Sequence, residues 1–498
     1  MKKKFYITTP IYYVNDVPHI GHAYTTIAAD VLSRYYKNKG REIFFLTGVD
    51  EHGAKISQAA KRAGKEPKEF VDQLVPHFLD AWKNLNIKYS EFFRTTSSKH
   101  ESIVQEFVQK LIEAGFVEKK KYEGLYCIGC EKFLSPNELV SGKCPDHKTE
   151  PVKQSEENWF FLLEKAVADS DLLKKIESGE FKIKPDSRKN EVIGKIKQGL
   201  SDISISREAV EWGIQFPGDK TQTVYVWIDA LINYYSATKI YKMEEWQEHP
   251  ADLHLMAKDI LWFHAVIWPA MLSVLNLPLP KEVFAHGFFT IDGQKMSKSV
   301  GNVLDPNQMV KKYGADAVRY ALLREFPFGE DGDISEEKIA ERYQKDLGNE
   351  LGNLLNRTIN MINKYNIKSK IQSSNVKSNS NVQIPNQANK ANQANKASEA
   401  SEANEASEAN KLIEEKKFDM ALLEIWRGIK EQNQYIDKEK PWELAKSDQK
   451  KLIVVLTDVY QFLSSLVYQL SPFMPETAEK MKKQLEILKP EPLFPRLN

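Results

Sequence analysis

The chain predicts an α/β protein: a parallel, doubly wound sheet, split by an insertion and followed by a helical C-terminal third. Three observations predict it. Apolar runs of strand length alternate with helix-period segments near the start. From Tyr122 to Val152 that alternation breaks into a Cys-containing stretch punctuated by Gly and Pro. Beyond Arg342 only helical spacing remains.

Phe5 to Thr9 reads as a buried strand, and the Gly21 region opens a helix. Ala23, Ile27, Val31 and Tyr35 keep helical period there, with Ala28 and Leu32 beside them, up to Gly40. Ile43-Phe44-Phe45-Leu46 is a second buried strand; Gly48-Val49-Asp50-Glu51-His52-Gly53 and another helix follow. In such sheets ligands bind beyond the carboxyl ends of the strands, where His19, His22 and Asp50 fall. Asp50 equally suits a helix N-cap before the segment starting at Gly53. Val224-Tyr225-Val226-Trp227 and Val283-Phe284-Ala285-His286 read as strands resuming the sheet. The α/β domain then occupies 1–116 and 223–341, with an insertion at 117–222.

The C-terminal region, 342–498, carries helical spacing at Leu347, Leu351, Leu354, Leu355, Ile359 and Ile362, then from Phe418 to Ile429 and from Leu452 to Leu470. An insert at about 370–412 interrupts it; its Asn386–Asn410 stretch contains only Ala, Asn, Lys, Ser, Glu and Gln. With no aromatic or β-branched residue it buries too little surface to offset ordering entropy, and it reads as disordered or weakly helical.

At 498 residues, 42% hydrophobic and 28% charged, the chain supports roughly three domains. Lys+Arg 70 against Asp+Glu 69 leaves +1, so a nucleic-acid partner would need a local basic patch. Three cysteines form no disulfide framework and suit a reducing compartment. Met1-Lys2-Lys3-Lys4 runs straight into the first strand, with neither an apolar signal core nor an Arg/Ser-rich presequence. No apolar stretch reads as long enough to span a bilayer. The expectation is a cytoplasmic, soluble protein.

Two short blocks carry the chemistry. His19-Ile20-Gly21-His22 puts two imidazoles and a side-chain-free residue where a strand hands over to a helix. Lys295-Met296-Ser297-Lys298-Ser299 puts two ammonium groups on a flexible turn. These groups can neutralise a triphosphate, while glycine lets a planar base approach the backbone. Alone, the first block fits core histidines or half a metal site, and the second a solvated basic turn. Together, in this order, they resemble the H-I-G-H and K-M-S-K-S elements of class I aminoacyl-tRNA synthetases. Thr9-Pro10-Ile11-Tyr12-Tyr13-Val14-Asn15, the Gly48–Gly53 block, Val226 to Tyr234, and Lys258-Asp259-Ile260-Leu261-Trp262-Phe263-His264 narrow the resemblance to methionyl-tRNA synthetases, over nearly the whole chain.

That resemblance implies a split Rossmann-like fold with a zinc-knuckle connective insertion and a C-terminal α-helical bundle. It implies attack of the methionine carboxylate on the ATP α-phosphate, then transfer of methionyl to tRNA(Met), initiator and elongator. No enzymic nucleophile is needed; the protein positions reactants and stabilises charge. His19, His22, Lys295 and Lys298 are the catalytic residues so implied, with Gly21 under adenine and Ser297 in the ATP site. Mg²⁺ travels with ATP. Asp50 takes the substrate ammonium with help from the backbone near Ile11; Tyr13, Trp227, Leu231, Tyr234 and His264 enclose the thioether. Trp227 and Tyr234 equally fit an ordinary core.

Cys127-x2-Cys130 and Cys144-x2-His147 give the spacing of a structural Zn²⁺ knuckle at about 122–150. His147 has Asp146 as a rival ligand. In the C-terminal third, Asn353 and Arg357 share a helix face and Trp442 offers a stacking plane, the side-chain chemistry that reads single-stranded bases. The resemblance assigns these three to the anticodon. It also suggests a monomer. Two other readings compete: a sister synthetase for Leu, Ile or Val, and a catalytically silent tRNA-binding relative. The first needs a large editing domain, for which an insertion of about 100 residues leaves little room. The second would be expected to lose a phosphate-binding group, and all four are present.

Overall fold

A computed structural model describes residues 3–127, 132–134, 139–145, 148–208, 210–241, 249–291, 293–295, 303–371 and 408–497. The chain forms two compact units. One comprises Met1–Val17, Glu42–Leu79 and Tyr89–Ala285, the other Pro18–Arg41, Asp80–Lys88 and His286–Asn498.

Along the chain, β1 (Lys4–Tyr13), β2 (Glu42–Asp50) and β3 (Glu91–Arg94) alternate with α1 (Ile20–Asn38), α2 (Ala54–Arg62), α3 (Pro67–Asn84) and α4 (Ser98–Glu113). Then come β4 (Val117–Cys127), β5 (Lys132–Leu134), β6 (Val152–Phe161), α5 (Leu163–Asp169), α6 (Leu172–Ser178), β7 (Lys182–Lys184) and α7 (Asp186–Lys197). The first unit ends through β8 (Ile203–Ser204), β9 (Ser206–Arg207), β10 (Thr223–Val224), α8 (Val226–Ile240), β11 (Leu253–Ala257) and β12 (Glu282–His286).

Its main sheet has the order β3-β2-β1-β11-β12-β7. β1 pairs parallel with β2 and β11, β2 with β3, and β12 with β7. Parallel strands are covered on both faces, which is why Phe44-Phe45-Leu46 is an unbroken, fully buried run. A second, antiparallel sheet, β5-β4-β6-β8, holds the cysteine-bearing segment. β7, inside the segment read as inserted, joins the main sheet instead.

The strand expected at 224–227 is a correction: only Thr223–Val224 is extended, and α8 begins at Val226. The run is locally β-prone. However, Ile228, Leu231, Ile232 and Tyr234 are buried at helical spacing, and that packing outweighs local propensity.

In the second unit β13 (Phe289–Ile291) pairs antiparallel with β14 (Gln294–Lys295) and parallel with β15 (Gly332–Asp333). Asp333 ties the β13–β14 turn, its Oδ1 accepting from Gly293 N at 2.7 Å and Thr290 Oγ1 at 2.8 Å. The expected C-terminal helices are present as Asn353–Lys364, Phe418–Glu439 and Gln449–Leu470. A π-helical segment, Tyr343–Gly352, leads into the first of them. Gln449–Leu470 has the length and composition of a membrane span, contrary to the sequence expectation. Its Leu452, Val455, Leu456, Val459, Leu463, Leu466 and Leu470 are buried at helical spacing, the stripe of a bundle's core helix. Most of the low-complexity insert, 372–407, lies outside the described residues. Its last residues, Glu408–Asn410, already belong to a helix reaching Glu414, anchored by buried Ala409, Leu412 and Ile413.

Candidate active site

The first histidine block starts α1 and caps it. His19 is the N-cap, and its Nδ1 accepts from Gly21 N at 3.1 Å. His22, at the third helical position, returns the bond: its Nδ1 accepts from His19 N at 3.3 Å. The rings stack with centroids 3.8 Å apart. This is a capping box built from imidazoles where Ser and Glu are usual. With Nδ1 accepting in both rings, the neutral tautomer carries its proton on Nε2, so each ring is an N–H donor at the positive end of a helix. Such a terminus suits an anion. Ile20 N, another first-turn amide, donates to Leu304 O at 3.1 Å, fixing the chain just beyond the lysine block against this helix start.

Lys295 ends β14, opposite Thr290. Ser297 and Lys298 lie outside the described residues.

In the first unit, β1 breaks register with β2 between Thr8 and Ile11, around Pro10. Such an irregularity re-aims the residues after it. Beyond it Ile11 pairs with Gly48 and Tyr13 with Asp50, at the carboxyl end of both strands. Asp50 is buried, and its Oδ1 lies 3.5 Å from His52 N. It does not cap α2: the N-cap is Gly53, at φ +102°. A Cβ on Gly53 would collide with the Tyr13 hydroxyl.

Trp227, Leu231 and Tyr234 follow the helical period along one face of α8. Trp227 stacks on Phe263, centroids 4.2 Å apart and 12° from parallel. Tyr234 Oη is 2.8 Å from His264 Nε2, and His264 Nδ1 is 3.0 Å from Ile260 O. Nδ1–H therefore donates to the carbonyl, and Nε2 accepts the tyrosine proton. Burial holds His264 down at about 4, against the bond to Ile260, so the ring is neutral near pH 7. The histidine sits on a π-helical turn, Phe263–Ile267, a distortion that recurs at functional sites. His254, on β11, lies against Tyr234 at 4.3 Å and bonds Thr8 Oγ1 through Nδ1 at 2.7 Å. Phe263 and His254 were missed in sequence. Phe263 had a signal, its place in the aromatic pair before His264; His254 had none.

Cys127, at the end of β4, and Cys144 are both buried and pack in one small cluster with Leu134 and Leu139. A tight turn precedes Cys144: Val140 and Lys143 exchange backbone bonds of 2.9 and 3.1 Å across Ser141 and Gly142, both at positive φ. Two buried sulfurs beside a knuckle-like turn fit the donor set of a structural zinc site. Cys130 and His147 lie outside the described residues, and among the described residues no three metal-binding side chains converge.

In the second unit Asn353 is exposed at the start of its helix, and Arg357 pairs with Asp437 Oδ1 at 2.7 Å. Trp442 is 41% exposed beside buried Pro441, so it presents its ring rather than packing a corner.

A parallel α/β sheet with an imidazole-capped helix start defines a class I tRNA synthetase, and the family model for tRNA synthetases class I (M) matches residues 5–153 and 147–359. Methionine–tRNA ligases of Caldanaerobacter subterraneus subsp. tengcongensis and Thermotoga maritima are 45% and 42% identical, over 98% and 99% of this chain and 74% and 80% of theirs. The solved Mycobacterium tuberculosis methionyl-tRNA synthetase in complex with methionyl-adenylate superposes with TM-score 0.85 at 34% identity, covering 99% of this chain and 100% of that one. The chain belongs to the methionyl-tRNA synthetase family.

Proposed function

We infer that the protein is a methionine–tRNA ligase. It joins L-methionine to ATP, giving methionyl-adenylate and pyrophosphate, then transfers the methionyl group to the 3′-terminal adenosine of tRNA(Met). The observation that carries this reading is the Tyr234–His264–Ile260 chain beside the stacked Trp227–Phe263 pair. An aromatic-walled slot with fixed, neutral polar groups suits an unbranched thioether, since each S···aromatic contact contributes about 0.3–1.5 kcal/mol.

In this reading Asp50 holds the substrate ammonium, and Ile11, Tyr13, Trp227, Leu231, Tyr234 and His264 hold the rest of methionine. The Nε2–H groups of His19 and His22 donate to the ATP phosphates, and Gly21 admits the adenine. Lys295, Ser297 and Lys298 hold the departing pyrophosphate. The methionine carboxylate displaces pyrophosphate from the α-phosphorus; the terminal tRNA hydroxyl then displaces AMP. Mg²⁺ accompanies ATP. Cys127, Cys130, Cys144 and His147 hold one structural zinc, supported by the buried pair Cys127 and Cys144. Asn353, Arg357 and Trp442 read the anticodon, supported by the exposed ring of Trp442. The enzyme acts in the cytoplasm as a monomer, organised as 1–116, 117–222, 223–341 and 342–498.

ATP–pyrophosphate exchange across the standard amino acids tests the activity. Exchange only with methionine is the expected result; equal exchange with leucine or valine would overturn it. Zinc analysis should return about one metal per chain, and well under one would discard the knuckle.

A further inference from the structure

Behind the methionine slot lies a buried polar chain that the site does not account for. Side chains about 100° apart per residue put Asp229 and Ser236 of α8 on a different face from Trp227, Leu231 and Tyr234. Asp229 Oδ2 lies 2.8 Å from His52 Nδ1, and its Oδ1 2.6 Å from His100 Nε2. His100 Nδ1 is in turn 2.8 Å from Ser236 Oγ. All four side chains are buried.

His52 stands two residues beyond Asp50 in the loop from β2 to α2. The far side of that loop is clamped independently. The Glu51 carboxylate accepts from Arg94 Nε at 2.8 Å and from Thr96 Oγ1 at 2.6 Å, while Trp212 Nε1 donates to Glu51 O at 2.6 Å and Gly53 N to Trp212 O at 2.9 Å. On the α8 side the polar link shown is Asp229, through His52. A buried carboxylate between two imidazoles is a poor way to gain stability, because well-packed apolar residues generally do as well. What a fully bonded polar chain supplies is a fixed position.

We propose that Asp229 is a positioning residue for methionine recognition: by bonding His52 and His100 it sets the separation between the Asp50 loop and the slot-lining face of α8. The two ends of the amino acid, ammonium and thioether, are thereby held at one spacing. The inference rests on the assignment of Asp50 and the α8 face made above.

Pyrophosphate exchange on the full chain tests it. Asp229→Asn should raise KM for methionine about tenfold and leave KM for ATP within about twofold. It should also narrow, about threefold or more, the preference for methionine over ethionine, which is one methylene longer. A lowered Tm with both KM values and that preference unmoved overturns the proposal, as does an equal rise in both KM values. A second pair stands independently should Asp229→Asn not fold. His52→Asn keeps a donor where Nδ1 was and should keep KM for methionine within about twofold, whereas His52→Leu should raise it about tenfold; equal KM values for the two overturn it. Asp50→Ala separates the two levels. If it leaves KM for methionine unchanged, the site assignment itself fails; if it raises KM while Asp229→Asn does not, only the positioning role fails.

Discussion

Gly53 has two constraints at one atom. Its φ of +102° disfavours any side chain, and a Cβ there would strike the Tyr13 hydroxyl. Gly53→Ala should therefore destabilise the fold by about 1–3 kcal/mol and raise KM for methionine, read by urea unfolding and pyrophosphate exchange. Wild-type values in both would show that the loop relaxes freely. Lys298 makes a second residue-scale test. On its proposed role of holding the departing pyrophosphate, Lys298→Ala should slow adenylate formation by about two orders of magnitude or more while leaving methionine binding intact. Matched losses in both would argue against that role. The helix start at His19-Ile20-Gly21-His22 was legible in sequence because it is a short, unusual letter pattern. His52, His100 and Asp229 were not: their partners stand far apart in the chain, and each alone looks like an ordinary core or cap residue.

Within the second unit a buried ion pair joins two helices. Asp30 of α1 and Arg319 of the helix Ala315–Arg324 meet at 2.7 Å with both side chains fully enclosed. Arg319 also donates to Phe473 O and Pro472 O at 2.8 and 2.9 Å, and Lys88 N donates to Asp30 Oδ1 at 2.8 Å. Asp30 Oδ2 also accepts from Arg34 Nε at 2.7 Å, so Arg319→Met removes one of the carboxylate's two cations and should cost about 1–3 kcal/mol in urea unfolding. The Asp30→Leu, Arg319→Met double variant should recover part of that loss; strict additivity would show that the two groups are not coupled. On its proposed role in reading the anticodon, Trp442→Ala should weaken aminoacylation of tRNA and spare pyrophosphate exchange, since its exposed ring lies in the C-terminal helical region. An unchanged tRNA step would make the ring inert surface. The element boundaries show where sequence reading fails. Phe44-Phe45-Leu46 was legible because a doubly covered strand carries such a run. Val224-Tyr225-Val226-Trp227 misled because β-prone residues happen to begin a helix whose buried face is set by distant packing.

Across the whole molecule, the parallel sheet and the helical C-terminal third were legible from periodicity, whereas the pairing of β7 with β12 was not, since Lys182–Lys184 carries almost no strand signal of its own. The same long-range burial that periodicity cannot locate gives the protein a measurable pH response. His254 is held well below its usual range by burial and by His264, while burial pushes His264 and His286 down to about 4. In the unfolded chain these rings take up protons below about 6.5, and in the folded chain only near 4 or lower. The unfolded state thus binds more protons across that window, and stability falls as pH drops through it. His52 acts in the opposite sense. Burial lowers it, but Asp229, Glu101 and Glu51 raise it further, so its contribution is present below its unfolded value and lost as pH rises through the folded one. The carboxyls that burial raises, Glu91, Asp316, Glu350 and Asp458, also oppose the histidine trend. A single variant isolates the histidine part. His286, bonded to Thr25 Oγ1 at 2.6 Å and to Gly287 O at 2.7 Å, is replaced by Gln, which cannot titrate. Urea midpoints measured between about pH 6.5 and pH 4 should fall more steeply for the wild type than for His286→Gln, so that the two curves converge on the acid side. Parallel curves would show that His286 takes up its proton equally in both states, and that its burial costs the folded chain nothing in acid.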